Sequence, residues 1–181
     1  MRLFLLLCLC WISTTSAQEL TICYNYGCAT QASIDLSGPM LLKIGHNFQD
    51  VASDEEERYT IAYVIGLLEF FAGQQTPTRN DRGGNINDDG VDGRMDCIDH
   101  AHNTTTYLRL LAEHGWLKFH RVLEPAKRAP LLVDDHWAAR IEDTSNGDQY
   151  AVDSWFYDNG HPAVILPLED WLHGSIPVDF Q

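Results

Sequence analysis

From Cys97 to Leu111, small and apolar residues recur at the three–four spacing of one helix face: Cys97, Ala101, Thr104, Leu108 and Leu111. Gly115 closes this helix, and the period of the chain then changes. Segments 116–123 (WLKFHRVL), 136–143 (HWAARIED) and 149–156 (QYAVDSWF) have strand composition, and TSNGD between the last two marks a hairpin. One helix followed by a run of strands restricts the fold to α+β with an antiparallel sheet.

Upstream, residues 53–72 read as another helix. Ser53 and Glu56 have capping-box spacing, acids fill the first turn, and Ile61, Val64, Ile65, Leu68 and Phe71 follow helical spacing up to a stop at Gly73. Residues 74–94, QQTPTRNDRGGNINDDGVDGR, are rich in turn formers and form a long loop. Ordered loops of that length in compact domains are often functional. The tail, AVILPLEDWLHGSIPVDF, reads as a last strand and a short terminal helix on the sheet. There is no internal repeat.

The chain opens MRLFLLLCLCWISTTSAQEL. Arg2, an apolar run to Ile12 and a small polar stretch ending at Ala17 have the order of a secretory signal peptide cut after Ala17. The run is too short to span a bilayer. Cys8 and Cys10 follow leucines rather than the small residues a lipidated cysteine requires. The expected organisation is a leader over 1–17 and one domain over 18–181, periplasmic or secreted, without stable membrane insertion. A formal charge of −14 and a sequence pI of about 4.7 repel phosphate backbones and argue against a nucleic-acid partner.

Loss of the leader leaves Cys23, Cys28 and Cys97. CYNYGC, residues 23–28, is a short turning loop, and in an oxidising compartment its cysteines read as a small-loop disulfide. Cys97 is then the odd thiol, either buried and inert or kept free for chemistry. At a helix N-terminus the backbone dipole and unpaired N–H groups favour thiolate. Asp96 and Asp99 oppose it, so a reactive site requires a cationic partner, most often histidine. His100 and His102 point to opposite sides of their helix, which also weakens a zinc reading of DHAH. His46, His114 and His173 read as surface residues, His161 as part of a turn, and His120 as a strand residue facing water. His136 opens a strand. With Thr144–Gly147 as the hairpin loop, Asp153 is its diagonal neighbour on the same face; a loop one residue longer would separate them. Cys97, His136 and Asp153 are therefore the candidate catalytic residues.

MDC at Cys97, HWAARI at His136 and YAVDSWF at Asp153 appear in the order and at the spacing of the transglutaminase-like cysteine peptidase superfamily, which the chain resembles over about 54–157. The bacterial transglutaminase-like cysteine proteinases are the most similar branch. The resemblance implies a papain/transglutaminase-like core, in which the helix bearing the cysteine packs on an antiparallel sheet bearing the histidine and aspartate. It also implies an exported thiol hydrolase acting on a protein or peptide substrate through a thioester. The alternatives are a transglutaminase-type acyl transferase and an inactive binding module on the same scaffold. Oxyanion donors are expected from the Cys97 backbone N–H and from Gln74 or Gln75.

NINDDGVDGRMD, residues 85–96, partly matches a calcium loop: Asn85, Asn87, Asp89 and Gly90 fall at positions one, three, five and six, but Asp96 replaces the final glutamate. It reads either as a solvated turn or as a calcium site. Some exported transglutaminase-like proteinases bind calcium through acids flanking the cysteine, so the resemblance adds Asp96 and Asp99, beside Asp89, as candidate ligands. No cofactor is required; calcium is the one candidate. The sequon NTT at 103–105 lies inside the expected helix and reads as chance.

Overall fold

The computed structural model describes residues 17–129 and 135–178. The expected leader lies outside the described residues apart from Ala17. The chain forms an α+β domain. Strands β1 (Gln18–Tyr24) and β2 (Thr30–Leu36) pair antiparallel as a separate ribbon. Helices α1 (Gly38–Asn47) and α2 (Asp54–Gln75) follow, then a short 3₁₀ turn (Pro77–Asn80) and the long loop to α3 (Cys97–Glu113). Strands β3 (His120–Arg128), β4 (His136–Asp143), β5 (Gln149–Asp153) and β6 (Val164–Pro167) make an antiparallel sheet in sequence order, and α4 (Leu168–Leu172) completes the described chain.

Helix α2 starts where its sequence places the cap: the Ser53 side chain accepts the Glu56 N–H, with four acids in the first turn favouring the positive end of the dipole. Helix α3 starts on a full capping box between Asp96 and Asp99. It packs against β3, β4 and β5 and, on another side, against β1. The core between them is built from residues such as Ile22, Ile65, Leu68, Leu108, Ile141 and Val152, all buried. A smaller cluster of Ala126, Ala138, Ala151 and Trp171 lies under α4.

The register of the β4–β5 hairpin is the expected one. Ala139 faces Val152 and Arg140 faces Ala151, and the turn closes through Gly147 N–H to the Asp143 carbonyl at 2.9 Å. Element bounds differ by a few residues. The first sheet strand begins at His120 and runs on to Arg128, and β5 stops at Asp153. The β1–β2 ribbon and α1 are additions that the sequence reading did not assign.

His120 does not face water. It is buried, and its Nδ1 lies 2.9 Å from Glu57 Oε1. Glu57 also accepts the backbone N–H groups of Lys118, Phe119 and His120, tying the start of β3 to α2. Burial raises the Glu57 pKa, but the His120 side chain and these amides outweigh it and hold the carboxyl below its ordinary value. Asn103 is likewise buried: its side chain clamps the backbone of Cys23, accepting from N at 2.7 Å and donating to O at 2.8 Å.

Candidate active site

Cys97 is the first residue of α3, held there by the capping aspartate before it, and it is the free cysteine among the described residues. Its sulfur lies 3.9 Å from the Asp135 carbonyl, at the start of β4. The next residue, His136, is buried and lines the same cavity as Cys97. On its other side His136 Nε2 meets Asp153 Oδ2 at 2.7 Å. With Nε2 committed to the carboxylate, Nδ1 is the ring nitrogen left for sulfur. The hairpin register thus brings His136 and Asp153 together, and α3 brings Cys97 to them.

Asp153 is fixed on both oxygens. Oδ2 also accepts the Trp171 indole N–H at 2.9 Å, and Oδ1 accepts the Trp155 backbone N–H at 3.2 Å. Trp155, Phe156 and Trp171 enclose the imidazole, with ring centroids 4.9, 5.9 and 5.8 Å away. Burial alone would lower the His136 pKa. The hydrogen bond to the Asp153 carboxylate, with the neighbouring Cys97 side chain adding, overcomes it and pushes the ring up to about 9. This shift favours the charged form of the His136 ring at neutral pH. Cys97 and His136 line an open cavity of about 270 Å³ with Tyr26, Ile86, Trp155 and Ile176, and Asp153 is buried behind the ring.

A second buried histidine sits one turn along α3. His100 Nε2 is 3.0 Å from Asp81 Oδ2, and its Nδ1 is 2.8 Å from Ser154 Oγ and 3.5 Å from Glu69 Oε1. Burial opposes its charge, but Asp81 and Glu69 outweigh that and raise its pKa well above the ordinary value. Asp81 also accepts the Met95 N–H at 2.8 Å, so this cluster anchors the loop that leads into Cys97.

The acids expected to hold calcium are engaged otherwise. Asp96 Oδ1 accepts the N–H groups of Ile98 and Asp99, and Asp96 Oδ2 accepts that of Gly27. Asp99 Oδ1 accepts from Cys28 N, and its Oδ2 from Tyr26 N and Asp96 N. Burial raises the Asp99 pKa to about 6, with the Asp96 charge adding and the three amides pulling back. Asp89 is exposed on the loop, while its neighbour Asp88 pairs with Arg94 at 2.8 Å and accepts from Tyr26 Oη at 2.5 Å. Each of the four Asp96 and Asp99 oxygens already accepts a backbone N–H, and among the described residues Asp89, Asp96 and Asp99 do not bring their oxygens together as one set of ligand atoms for a calcium ion. Cys23, Cys28 and Asp99 place potential ligand atoms together, but the two sulfurs form a disulfide.

Gln74 and Gln75 are not at the cavity. Gln75 is bound to the backbone of Asp35 at the end of β2, accepting from N and donating to O, and Gln74 is exposed. Sequence reasoning passed over Trp171, and it read the 23–28 loop as a disulfide loop without its contacts to Asp96 and Asp99. The signal available for Trp171 was an indole within a terminal helix expected to pack on the sheet. Among the described residues no helix is long and apolar enough to cross a membrane. Compared with protein-family models, curated proteins and solved structures, the chain matches none.

Proposed function

We propose that this chain is an exported thiol hydrolase of transglutaminase-like type that cleaves peptide or other amide bonds. The observation that carries the reading is the buried His136, bound to Asp153 at 2.7 Å through Nε2 and sharing an open cavity with Cys97 at a helix tip, whose sulfur lies 3.9 Å from the carbonyl of the residue before His136. The Cys23–Cys28 disulfide supports an oxidising compartment.

In this mechanism the Cys97 thiolate attacks the substrate carbonyl carbon. The carbonyl oxygen gathers negative charge and is met by the first-turn N–H of Cys97, which has no intrahelical partner. As the C–N bond breaks, the His136 imidazolium gives its Nδ1 proton to the departing amine, leaving a thioester and a neutral imidazole. Water then attacks the thioester, His136 takes its proton, and the acid is released as the thiolate–imidazolium pair returns. Asp153 holds the ring in the required orientation and favours its charged form. Cys97→Ala tests the reading: hydrolysis of a fluorogenic peptide library and alkylation by iodoacetamide should both vanish while the circular dichroism spectrum stays unchanged. Undiminished hydrolysis by that variant contradicts it.

A further inference from the structure

The thiol site has a charge problem that the 25–28 loop solves. Cys97 is flanked by Asp96, one residue before it, and by Asp99, two residues after it. Negative charge at that distance disfavours a thiolate. A bound cation is one remedy, but every oxygen of both carboxylates is already engaged by backbone N–H groups.

Three of these donors come from consecutive residues. Tyr26 N, Gly27 N and Cys28 N approach Asp99 Oδ2, Asp96 Oδ2 and Asp99 Oδ1 at 2.8, 3.0 and 2.6 Å. They converge because Asn25, Tyr26, Gly27 and Cys28 all have left-handed backbones, with φ of 67°, 65°, 62° and 59°. Successive amides turned to one side form an anion-binding concavity. Only one of the four is glycine, and the others adopt this conformation at a cost in local strain. Two constraints hold them there: the Cys23–Cys28 disulfide spans the loop, and Asn25 is pinned to the segment before α3, through its N–H to the Arg94 carbonyl and its Oδ1 to the Gly93 N–H, both at 2.8 Å. The bond is approached from its Cys28 end: Cys28 is half-buried, with Gln31 Nε2 3.2 Å from its sulfur, while Cys23 is buried with His102 3.5 Å from its Sγ.

We propose that the disulfide-closed loop is the positioning element of the Cys97 site, neutralising Asp96 and Asp99 with backbone N–H groups in place of a metal ion, so that reduction of Cys23–Cys28 turns the site down. This rests on the reading of Cys97 as the nucleophile. The reductant is a dithiol, which becomes a disulfide as its two hydrogens pass to the Cys23 and Cys28 sulfurs. A phosphine does the same with water, leaving as the phosphine oxide. The inference runs against ordinary practice with thiol enzymes, because reductant should slow this one.

The test follows the Cys97 alkylation rate by peptide-resolved mass spectrometry at pH 7, together with thiolate absorbance near 240 nm measured against Cys97→Ser. Three forms are compared: the native protein, the native protein after phosphine reduction, and Cys23→Ser combined with Cys28→Ser. Both disulfide-free forms should react about tenfold more slowly and lose most of the absorbance. Calcium and chelator should change nothing in any form. Adding Asp99→Asn to the double serine variant should recover at least about threefold of the lost rate, which a purely structural role for the loop would not produce. The phosphine arm serves if the double serine variant does not fold. Equal reactivity with the disulfide open, a calcium requirement, or absence of recovery by Asp99→Asn would each overturn the inference. If Cys97 in the native oxidised protein neither alkylates nor supports hydrolysis, the parent reading fails, and this one with it.

Discussion

At the scale of single residues, the proposed chemistry rests on His136 and Asp153. The hydrogen bond between them is short and buried, and bonds of this charge-assisted kind are worth more than neutral ones. Asp153→Asn keeps the shape but removes the charge that holds the imidazolium. Hydrolysis should fall by at least about 100-fold, and the alkaline limb of its pH profile should move down from about 9 toward the ordinary histidine value. Trp171→Phe keeps a ring in place and deletes the donor to Asp153 Oδ2. A lost bond to a buried charge should cost about 1–3 kcal/mol, read as a lower melting temperature, with kcat reduced and KM little changed. The placement of Cys97 and His136 at one cavity and of Asp153 against the His136 ring was legible in the sequence because helix period, hairpin loop length and strand alternation each fix where one of them points. Trp171 was not, since its partner belongs to another element and no local period links them. His120 was misread for the same reason: Glu57, which it meets at 2.9 Å, lies far back on α2.

Helices α2 and α3 and the β4–β5 hairpin were legible as elements because their apolar periods are long and their ends carry caps. Helix α1 was hidden by its own composition. Gly38, Pro39 and Gly45 punctuate GPMLLKIGHN like a loop, yet Leu41 and Ile44 bury fully enough to hold the helix. Gly45 is there for space, since a Cβ would lie 2.9 Å from the Trp116 ring. The β1–β2 ribbon alternates over only seven residues per strand and adjoins both the leader and the disulfide loop, where the period is short-lived. Gly66 gives a test at this scale. A Cβ on it would fall 2.4 Å from the His161 carbonyl oxygen, a backbone atom that cannot turn aside. Gly66→Ala should therefore push α2 off the turn before β6 and destabilise the fold by about 1–3 kcal/mol, visible in chemical denaturation. Because the site lies on other elements, activity of the folded fraction should stay near that of the parent.

For the whole molecule, the His136 ring links stability to pH. Its folded-state pKa is raised, so the contribution of the pair is fully present below the ordinary histidine value and is lost as pH rises through about 9. The melting temperature should accordingly fall across that alkaline window, and Asp153→Asn should flatten the fall. Hydrolysis should decline over the same range, because the proton needed by the leaving amine is gone. The most direct measurement is an NMR titration of the His136 ring nitrogens in the intact protein. Both nitrogens should stay protonated up to about pH 9, and the midpoint should drop in Cys97→Ser and in Asp153→Asn. A ring that titrates near 6.5 and ignores both substitutions would mean that sulfur, imidazole and carboxylate do not act together.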